Sequence, residues 1–345
     1  MKLYFFLSAF IIVGSCAETK YTTKIENLKN RITIVDSALV KKYAATITTS
    51  ELKRNLIQFA SNDFEGRATG EIGQKKAVHF LKSFYQNESI KSPINDSVYY
   101  QKIPKSFLPE DLNASENVVA YIKGSEKPEE VLIISGHHDH LGIENNETYL
   151  GADDNGSGTV AILEMAEAFK QAELEGNGPK RSILFLHLTA EEIGLQGSLF
   201  YTQNPLFKLE KTIANINIDM IGRVDRSHID DPNYIYIIGS DRLSKELHYI
   251  NEKVNNYTQN LKLEYKYNEE NDNNRYYYRS DHYNFAKHNI PVIFYFNGEH
   301  EDYHKPTDTP NKINYALLEK RTKLIFATAW QLANQENGLL MNVDF

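Results

Sequence analysis

Residues 131–158 read VLIISGHHDHLGIENNETYLGADDNGSG, and this stretch decides the fold of the 345-residue chain. Its first five residues, VLIIS, are apolar and rich in β-branched side chains, which predicts a buried strand. Polarity changes abruptly at His137, and the loop GADDNGSG leads to a helical pattern that begins at Thr159. In an open α/β sheet, binding sites lie at the C-terminal ends of the strands. The imidazoles and carboxylates that follow this strand therefore indicate a metal site.

Strand and helix patterns alternate along the rest of the chain. Apolar runs predict buried strands, and apolar residues spaced three and four apart predict helices. Further strands are predicted at 182–189, 213–220, 234–239 and 291–296, and helices at 50–60, 74–86, 159–175, 195–202, 243–256 and 315–333. Elements that alternate in this way form sheets covered by helices on both faces. The predicted fold class is α/β, with a mostly parallel central sheet flanked by helices.

Composition and motif content exclude several functional classes. The net charge is -8 and no basic run is present, which argues against nucleic-acid binding. The nucleophile elbow G-x-S-x-G is absent. Cys16 is the only cysteine, so the remainder of the chain holds no catalytic thiol and no disulfide. No internal repeat stands out, which favours one catalytic domain.

The N-terminal residues predict export and membrane anchoring. Lys2 precedes an apolar stretch over 3–13, which is too short to span a membrane. The sequence Val13-Gly14-Ser15-Cys16 resembles a bacterial lipobox, in which the cysteine is acylated and becomes the mature N-terminus. We expect a signal peptide at 1–15 and a lipoprotein held by Cys16 on the periplasmic or cell-surface side of a membrane. The alternative is an ordinary signal peptide with an incidental cysteine.

Metal-ligand side chains follow several of the predicted strands. They are His137, Asp154, the pair Glu191-Glu192, Asp219 and His304. Taken singly, such a histidine is commonly structural and such an aspartate commonly caps a helix or turn. Together they supply the mixture of imidazole and carboxylate that suits zinc.

Local spacing adds two expectations about this site. His137 and Asp139 lie on one side of an extended segment, so Asp139 can orient the imidazole. Glu191 and Glu192 are adjacent, so their side chains must diverge. One of the two can then bind metal while the other faces substrate as a base.

One pattern in the chain imitates a different metal motif. His300-Glu301-Asp302-Tyr303-His304 satisfies H-E-x-x-H, which binds zinc only on a helix. Pro306 disfavours helix at the residue before it, so the two histidines are not expected to share a face. Only His304 is retained as a ligand. His187, in the middle of a predicted strand, is expected to be a core histidine.

Five motifs in order resemble the M28 peptidases, which are co-catalytic dizinc aminopeptidases and their relatives. The motifs are His137-His138-Asp139, GADDNGSG at 151–158, AEEIGLQGS at 190–198, Asn217-Ile218-Asp219 and YHKPTDT at 303–309. The segment FEGRATG at 64–70 resembles one that often precedes the domain in bacterial members. The resemblance covers roughly residues 117–333 and implies a zinc-exopeptidase fold of the phosphorylase/hydrolase-like type.

The resemblance also implies a role for each residue of the site. Two zinc ions per chain are implied, with Asp154 bridging them. His137 and Asp219 complete one zinc site, and Glu192 and His304 complete the other, while His138 and His140 are not used as ligands. Glu191 matches the general base, and a cis peptide bond is implied between Asp154 and Asn155. Tyr277 and Tyr303 are two candidates for stabilising an oxyanion.

The implied activity is the removal of N-terminal residues from peptides by a zinc-bound water. Two alternatives stay open: glutaminyl cyclase-like or carboxypeptidase-like chemistry on the same scaffold, and a non-catalytic binding lipoprotein. In the predicted organisation, residues 16–115 form a tether and an N-terminal helical segment, and residues 116–345 form the peptidase domain. The sequence does not predict an oligomeric state.

Overall fold

A computed structural model describes residues 20–344, which fold around one large twisted sheet. The predicted signal peptide at 1–15 and the predicted acylation site Cys16 lie outside the described residues. Within 20–344, no helix combines the length and the apolar character that crossing a bilayer requires.

The sheet has eight strands, and a separate hairpin has two. In chain order the strands are β1 Tyr100–Ile103, β2 Ser115–Ile122, β3 Lys127–His137, β4 Gly142–Glu144, β5 Glu147–Tyr149, β6 Arg181–Leu188, β7 Thr212–Ile218, β8 Tyr234–Ile238, β9 Lys262–Glu264 and β10 Val292–Phe296. The order across the sheet is β1-β2-β6-β3-β7-β10-β8-β9, and β4 pairs with β5. Strands β6, β3, β7 and β10 run parallel, as do β8 and β9. The predicted mostly parallel α/β sheet is confirmed.

Helices cover both faces of this sheet. They are α1 at 20–31, α2 Ser37–Ala44, α3 Thr49–Phe59, α4 Ile72–Asn87, α5 Gly158–Leu174, α6 Gln196–Gln203, α7 Lys245–Tyr257, α8 His282–Ala286 and α9 Tyr315–Asn334. Alternate residues of β3 point to opposite faces: Leu132 and Ile134 join the core under α2–α5, α7 and α9, whereas Val131 and Ile133 join a second core under α6 and α8. A central strand buried on both faces explains the continuous apolar run that predicted it.

Residues before 116 belong to the same hydrophobic core as the rest of the domain. Strand β1 extends the sheet through β2, and apolar side chains of α2, α3 and α4 pack against α5 and α9. Two hydrogen bonds join this region to α9: the Thr49 amide donates to Glu319, and Gln331 Nε2 donates to the Thr33 carbonyl, 2.7 and 2.9 Å respectively. Helices α2, α3 and α4 thus share one hydrophobic core with α5 and α9.

Candidate metal centre

The C-terminal edge of the four parallel strands carries the predicted ligands. His137 ends β3, Asp219 directly follows β7, and Glu192 lies in the loop after β6. Asp154 lies in the loop that enters α5, and His304 lies in a turn after β10. Parallel strands end at the same edge of a sheet, so residues far apart in sequence meet there. The structure brings all five predicted ligands together.

One group of ligand atoms forms around His137. Its Nε2 lies 3.2 Å from Asp154 Oδ1 and 3.4 Å from Asp219 Oδ1. All three side chains are buried, and their ligand atoms lie within 4.8 Å of one another. We call His137, Asp154 and Asp219 the first ligand group.

A second group forms around the other oxygen of Asp154. His304 Nε2 lies 3.1 Å from Asp154 Oδ2 and 3.1 Å from Glu192 Oε2. We call Asp154, Glu192 and His304 the second ligand group. Each oxygen of Asp154 thus faces a different ligand group.

His140 lies beside the second ligand group, although sequence reasoning set it aside. Its Nδ1 is 2.7 Å from Glu192 Oε1 and 3.9 Å from Asp154 Oδ2. The ring is fully buried and its Nε2 has no hydrogen-bond partner. His140 therefore contacts the second oxygen of Glu192. Its position three residues after His137 is the feature of the sequence that could have placed it at the site.

The donor set fits zinc on electrostatic grounds. Asp154, Glu191, Glu192 and Asp219 lie together, and within residues 20–344 no lysine or arginine forms an ion pair with any of them. Buried carboxylates without cationic partners are unfavourable unless a metal or a proton neutralises them. Imidazole nitrogen and carboxylate oxygen are the ligands that zinc accepts. These residues can therefore hold the metal that their chemistry implies.

Asp139 orients His137 through its main chain rather than through its side chain. His137 Nδ1 lies 3.2 Å from the Asp139 carbonyl oxygen but 3.8 Å from the carboxylate. This contact corrects the expected carboxylate contact and leaves Nε2 facing the first ligand group. The carboxylate instead accepts hydrogen bonds from Thr69 Oγ1 at 3.0 Å and from the Glu191 amide at 3.2 Å. Burial raises the pKa of Asp139 to about 6, and the nearby His137 opposes this shift.

The loop that carries Asp154 is fixed by a second aspartate. Asp308 Oδ2 accepts hydrogen bonds from the amides of Asp153 and Asp154, at 2.9 and 3.1 Å. The peptide bond between Asp154 and Asn155 is cis, which confirms the geometry implied by the family resemblance. Asn155 Nδ2 also donates to the Ile218 carbonyl at 2.8 Å, which ties this loop to the end of β7.

His300 binds an aspartate and not the ligand groups. Its Nε2 lies 3.1 Å from Asp153 Oδ2, and residues 301–304 form a turn rather than a helix. The H-E-x-x-H pattern therefore does not act as a helical zinc motif, as predicted. His187 is likewise a core residue: it is fully buried in β6 and its Nε2 lies 2.6 Å from the Tyr85 hydroxyl.

A cleft lies directly over the ligand groups and is lined by residues of both groups. Glu191 lines it beside these ligands. Burial raises the pKa of Glu191, and the charges of Glu192 and Asp219 raise it further, while His137 opposes them. A bound cation acts in the same direction as His137 and favours the carboxylate form.

The structure separates the two candidate tyrosines. Tyr303 lines the cleft and stacks on the His304 ring with centroids 3.9 Å apart. Tyr277 faces away, with its ring packed near Arg242 and Tyr283. Its neighbour Tyr276 lines the cleft instead, because a tight turn rotates consecutive side chains of this segment to different sides. Sequence spacing in a run of three tyrosines could not distinguish them.

Comparisons with known proteins agree with this geometry. The sequence profile of Peptidase family M28 matches residues 117–329. The chain is 26% identical over 310 residues to Leupeptin-inactivating enzyme 1 of Streptomyces exfoliatus, which covers 83% of this chain and 62% of that enzyme. The chain thus spans less than two thirds of that relative's length.

Two solved structures show the same fold. The LapA aminopeptidase of Legionella pneumophila superposes with a TM-score of 0.68 and 19% identity, covering 88% of this chain and 77% of that one. A glutaminyl cyclase of Bacteroides thetaiotaomicron superposes with a TM-score of 0.62 and 16% identity, covering 84% and 99%. The profile match spans well over half of the 345 residues, so the chain belongs to Peptidase family M28, a family of zinc-dependent peptidases.

Proposed function

We propose that this protein is a metallo-aminopeptidase that removes N-terminal residues from peptides with two zinc ions per chain. The placement of the adjacent pair Glu191-Glu192 carries the proposal. Both line the cleft, but the Glu192 carboxylate contacts His140 and His304, whereas within residues 20–344 the Glu191 carboxylate forms no ion pair. The loop after β6 thus supplies one carboxylate that can bind metal and a second that remains free to act where a peptide bond is attacked.

The ligand groups assign the metal positions. The first would hold one ion and the second the other, with Asp154 shared between them. Two such ions supply an activated water and polarise the scissile carbonyl. Asp139 and Asp308 keep the ligands in place through their hydrogen bonds to main-chain amides, so the site is preorganised by the fold.

Glu191 and Tyr303 would carry the proton and charge movements. Glu191 takes the proton of the attacking water and transfers it to the leaving amine, as a positioned carboxylate can. The Tyr303 hydroxyl donates to the oxygen on which negative charge develops. Burial and the charge of Asp154 raise the pKa of Tyr303, which keeps the hydroxyl protonated and able to donate.

The lining of the cleft favours a substrate residue with an apolar side chain. Its walls include Met220, Phe294 and Phe296, and an ion pair between Arg279 and Glu299, 3.1 Å apart, lies at its rim. The apolar walls suit an N-terminal residue with an apolar body.

We expect the soluble domain to release p-nitroaniline from unblocked aminoacyl-p-nitroanilides, and to lose this activity when a chelator removes zinc. The matched N-acetylated substrates should not react, because an aminopeptidase requires a free N-terminal amine. The measurement is the rate of absorbance change across a panel of side chains, before and after zinc is restored. Turnover of acetylated substrates only would contradict an aminopeptidase.

Three other functions would give different results. A glutaminyl cyclase-like enzyme needs a single zinc ion and forms pyroglutamate from N-terminal glutamine, so zinc content and product mass identify it. A carboxypeptidase-like enzyme shortens peptides from the other end. A binding lipoprotein releases nothing and does not need Glu191 at the cleft. The complete pair of ligand groups favours hydrolysis with two metals.

We further propose that the protein is exported and anchored through an acylated Cys16, because the stretch before it resembles a lipobox. Mass spectrometry of the N-terminal peptide from membrane-expressed protein is expected to show Cys16 as the first residue with added acyl mass. A Cys16→Ser variant should leave the membrane fraction. An unmodified Cys16 peptide would exclude the anchor.

A further inference from the structure

The segment Phe64–Gly70 lies beneath the metal centre, although it precedes the residues matched by the family profile. Its arginine, Arg67, is fully buried and forms no ion pair with any carboxylate described in residues 20–344. Burying a guanidinium without an acidic partner costs free energy unless its N–H groups donate hydrogen bonds to other acceptors. The partners of Arg67 therefore indicate what this segment does.

The donors of Arg67 reach main-chain carbonyls on two separate loops. Nε donates to the His138 carbonyl at 2.9 Å. Nη1 donates to Leu150 at 2.7 Å, and Nη2 donates to Gly151 at 2.9 Å. A fourth, longer bond of 3.3 Å runs from Nη1 to Phe59 at the end of α3. One rigid planar group thus joins the loop after β3 to the loop before α5.

These two loops carry ligands from both groups. His138 directly follows the ligand His137, and Gly151 lies three residues before the bridging Asp154. The guanidinium is planar with its donors in a fixed fork, so it sets the separation of the carbonyls that it binds. The main chain of the segment adds a further contact, because the His140 amide donates to the Arg67 carbonyl at 3.2 Å.

Arg67 also supplies positive charge behind the acidic centre. Burial lowers the pKa of Arg67 to about 10, and the charges of Asp139, Asp154 and Asp308 oppose that shift. The side chain therefore remains charged at neutral pH. Its charge offsets part of the repulsion among carboxylates that the folded chain holds together.

We propose that Arg67 is a positioning residue of the metal centre, which holds the loops of His137 and Asp154 at the separation that zinc binding requires. This inference rests on the metal centre of the proposed function. It assigns a role in the site to a segment outside the family profile, and it makes that segment part of the catalytic unit.

The test compares Arg67→Met with Arg181→Met. Arg181 serves as a control because it is also buried and donates to the carbonyls of Leu332 and Glu336, although it also pairs with Glu130, and it lies at the end of β6 away from the metal centre. Zinc dissociation constants are measured by competition with a chromogenic chelator, and the stability of each metal-free protein is measured in urea. We expect Arg67→Met to weaken zinc binding about 10–100-fold, as for other residues that orient ligands. Arg181→Met should reduce stability and leave zinc affinity unchanged.

Arg67→Lys provides a second variant if Arg67→Met fails to fold. Lysine keeps the charge but lacks the fork, so zinc affinity should still fall. Wild-type zinc affinity in folded Arg67→Met or Arg67→Lys would overturn the proposal, as would an equal loss in Arg181→Met. If the wild-type protein binds zinc but cleaves no peptide, the proposed function is refuted. The comparison of zinc affinities between the variants would still test the role of Arg67.

Discussion

Glu191→Gln is expected to lower kcat for aminoacyl-p-nitroanilide hydrolysis by about 10²- to 10⁴-fold, the range for losing a general base. Glutamine keeps the shape of the side chain but cannot accept the proton of the attacking water. Zinc content should stay at the wild-type level, because the Glu192 carboxylate contacts His304 whereas the Glu191 carboxylate forms no ion pair within residues 20–344. The measurements are steady-state kinetics and metal analysis of the same preparation.

Glu299→Gln is the matched control for this experiment. Glu299 lines the same cleft but is half-exposed at the rim, where it pairs with Arg279. Its substitution is expected to alter KM by severalfold at most, because an exposed ion pair contributes little free energy. Equal losses of kcat in the two variants would contradict the assignment of Glu191 as the base.

Asp154→Asn is expected to abolish the binding of two ions and to reduce kcat/KM by about 10³-fold or more. The physical reason is that its two oxygens face different ligand groups, at 3.2 Å from His137 and 3.1 Å from His304. Neutralising the shared carboxylate weakens both sites at once, and metal activation contributes several kcal/mol to such reactions, where 1.36 kcal/mol corresponds to about tenfold. Zinc stoichiometry after dialysis and kcat/KM check the prediction.

Two further variants, each of which changes a ligand of one group only, test whether Asp154 connects two separate sites. Asp219→Asn removes a ligand of the first group only, and His304→Ala removes one of the second group only. Each is expected to retain close to one zinc per chain where Asp154→Asn retains less. If all three variants lose the same amount of zinc, the two groups do not act as separate sites connected by Asp154.

The parts of the fold that sequence predicts well are those buried on both faces. Strands β3, β6 and β10 contain apolar runs and β7 alternates apolar residues with buried asparagines, because each strand is covered by helices above and below. Strands β1 and β9, by contrast, lie at the edges of the sheet and have four and three residues. Their conformation depends on pairing with a neighbour, which local sequence does not reveal.

As with the fold, the sequence predicts those parts of the site that local patterns determine and misses those that depend on distant contacts. The five ligands and Glu191 sit at strand ends or in loops at the same edge of the sheet, where a change in polarity marks them. The local sequence does not single out Arg67, because it lies outside a strand. Its role depends on hydrogen bonds to carbonyls that are 71 and 84 residues away. The contact between the Asp139 carbonyl and His137 is likewise not predictable from the sequence. Residue spacing indicates which side chains share a face, but not which atom of a residue makes the contact.

The contacts between the N-terminal helices and α9 also determine when the protein can fold. Thr49 and Glu319 are 270 residues apart, and Thr33 and Gln331 are 298 apart. Contacts of this sequence separation form slowly because a long loop must close first. During synthesis the early helices emerge without the last helix that buries their apolar faces. The chain therefore acquires its core, and a centre able to hold metal, only after residues as far as α9 have been made.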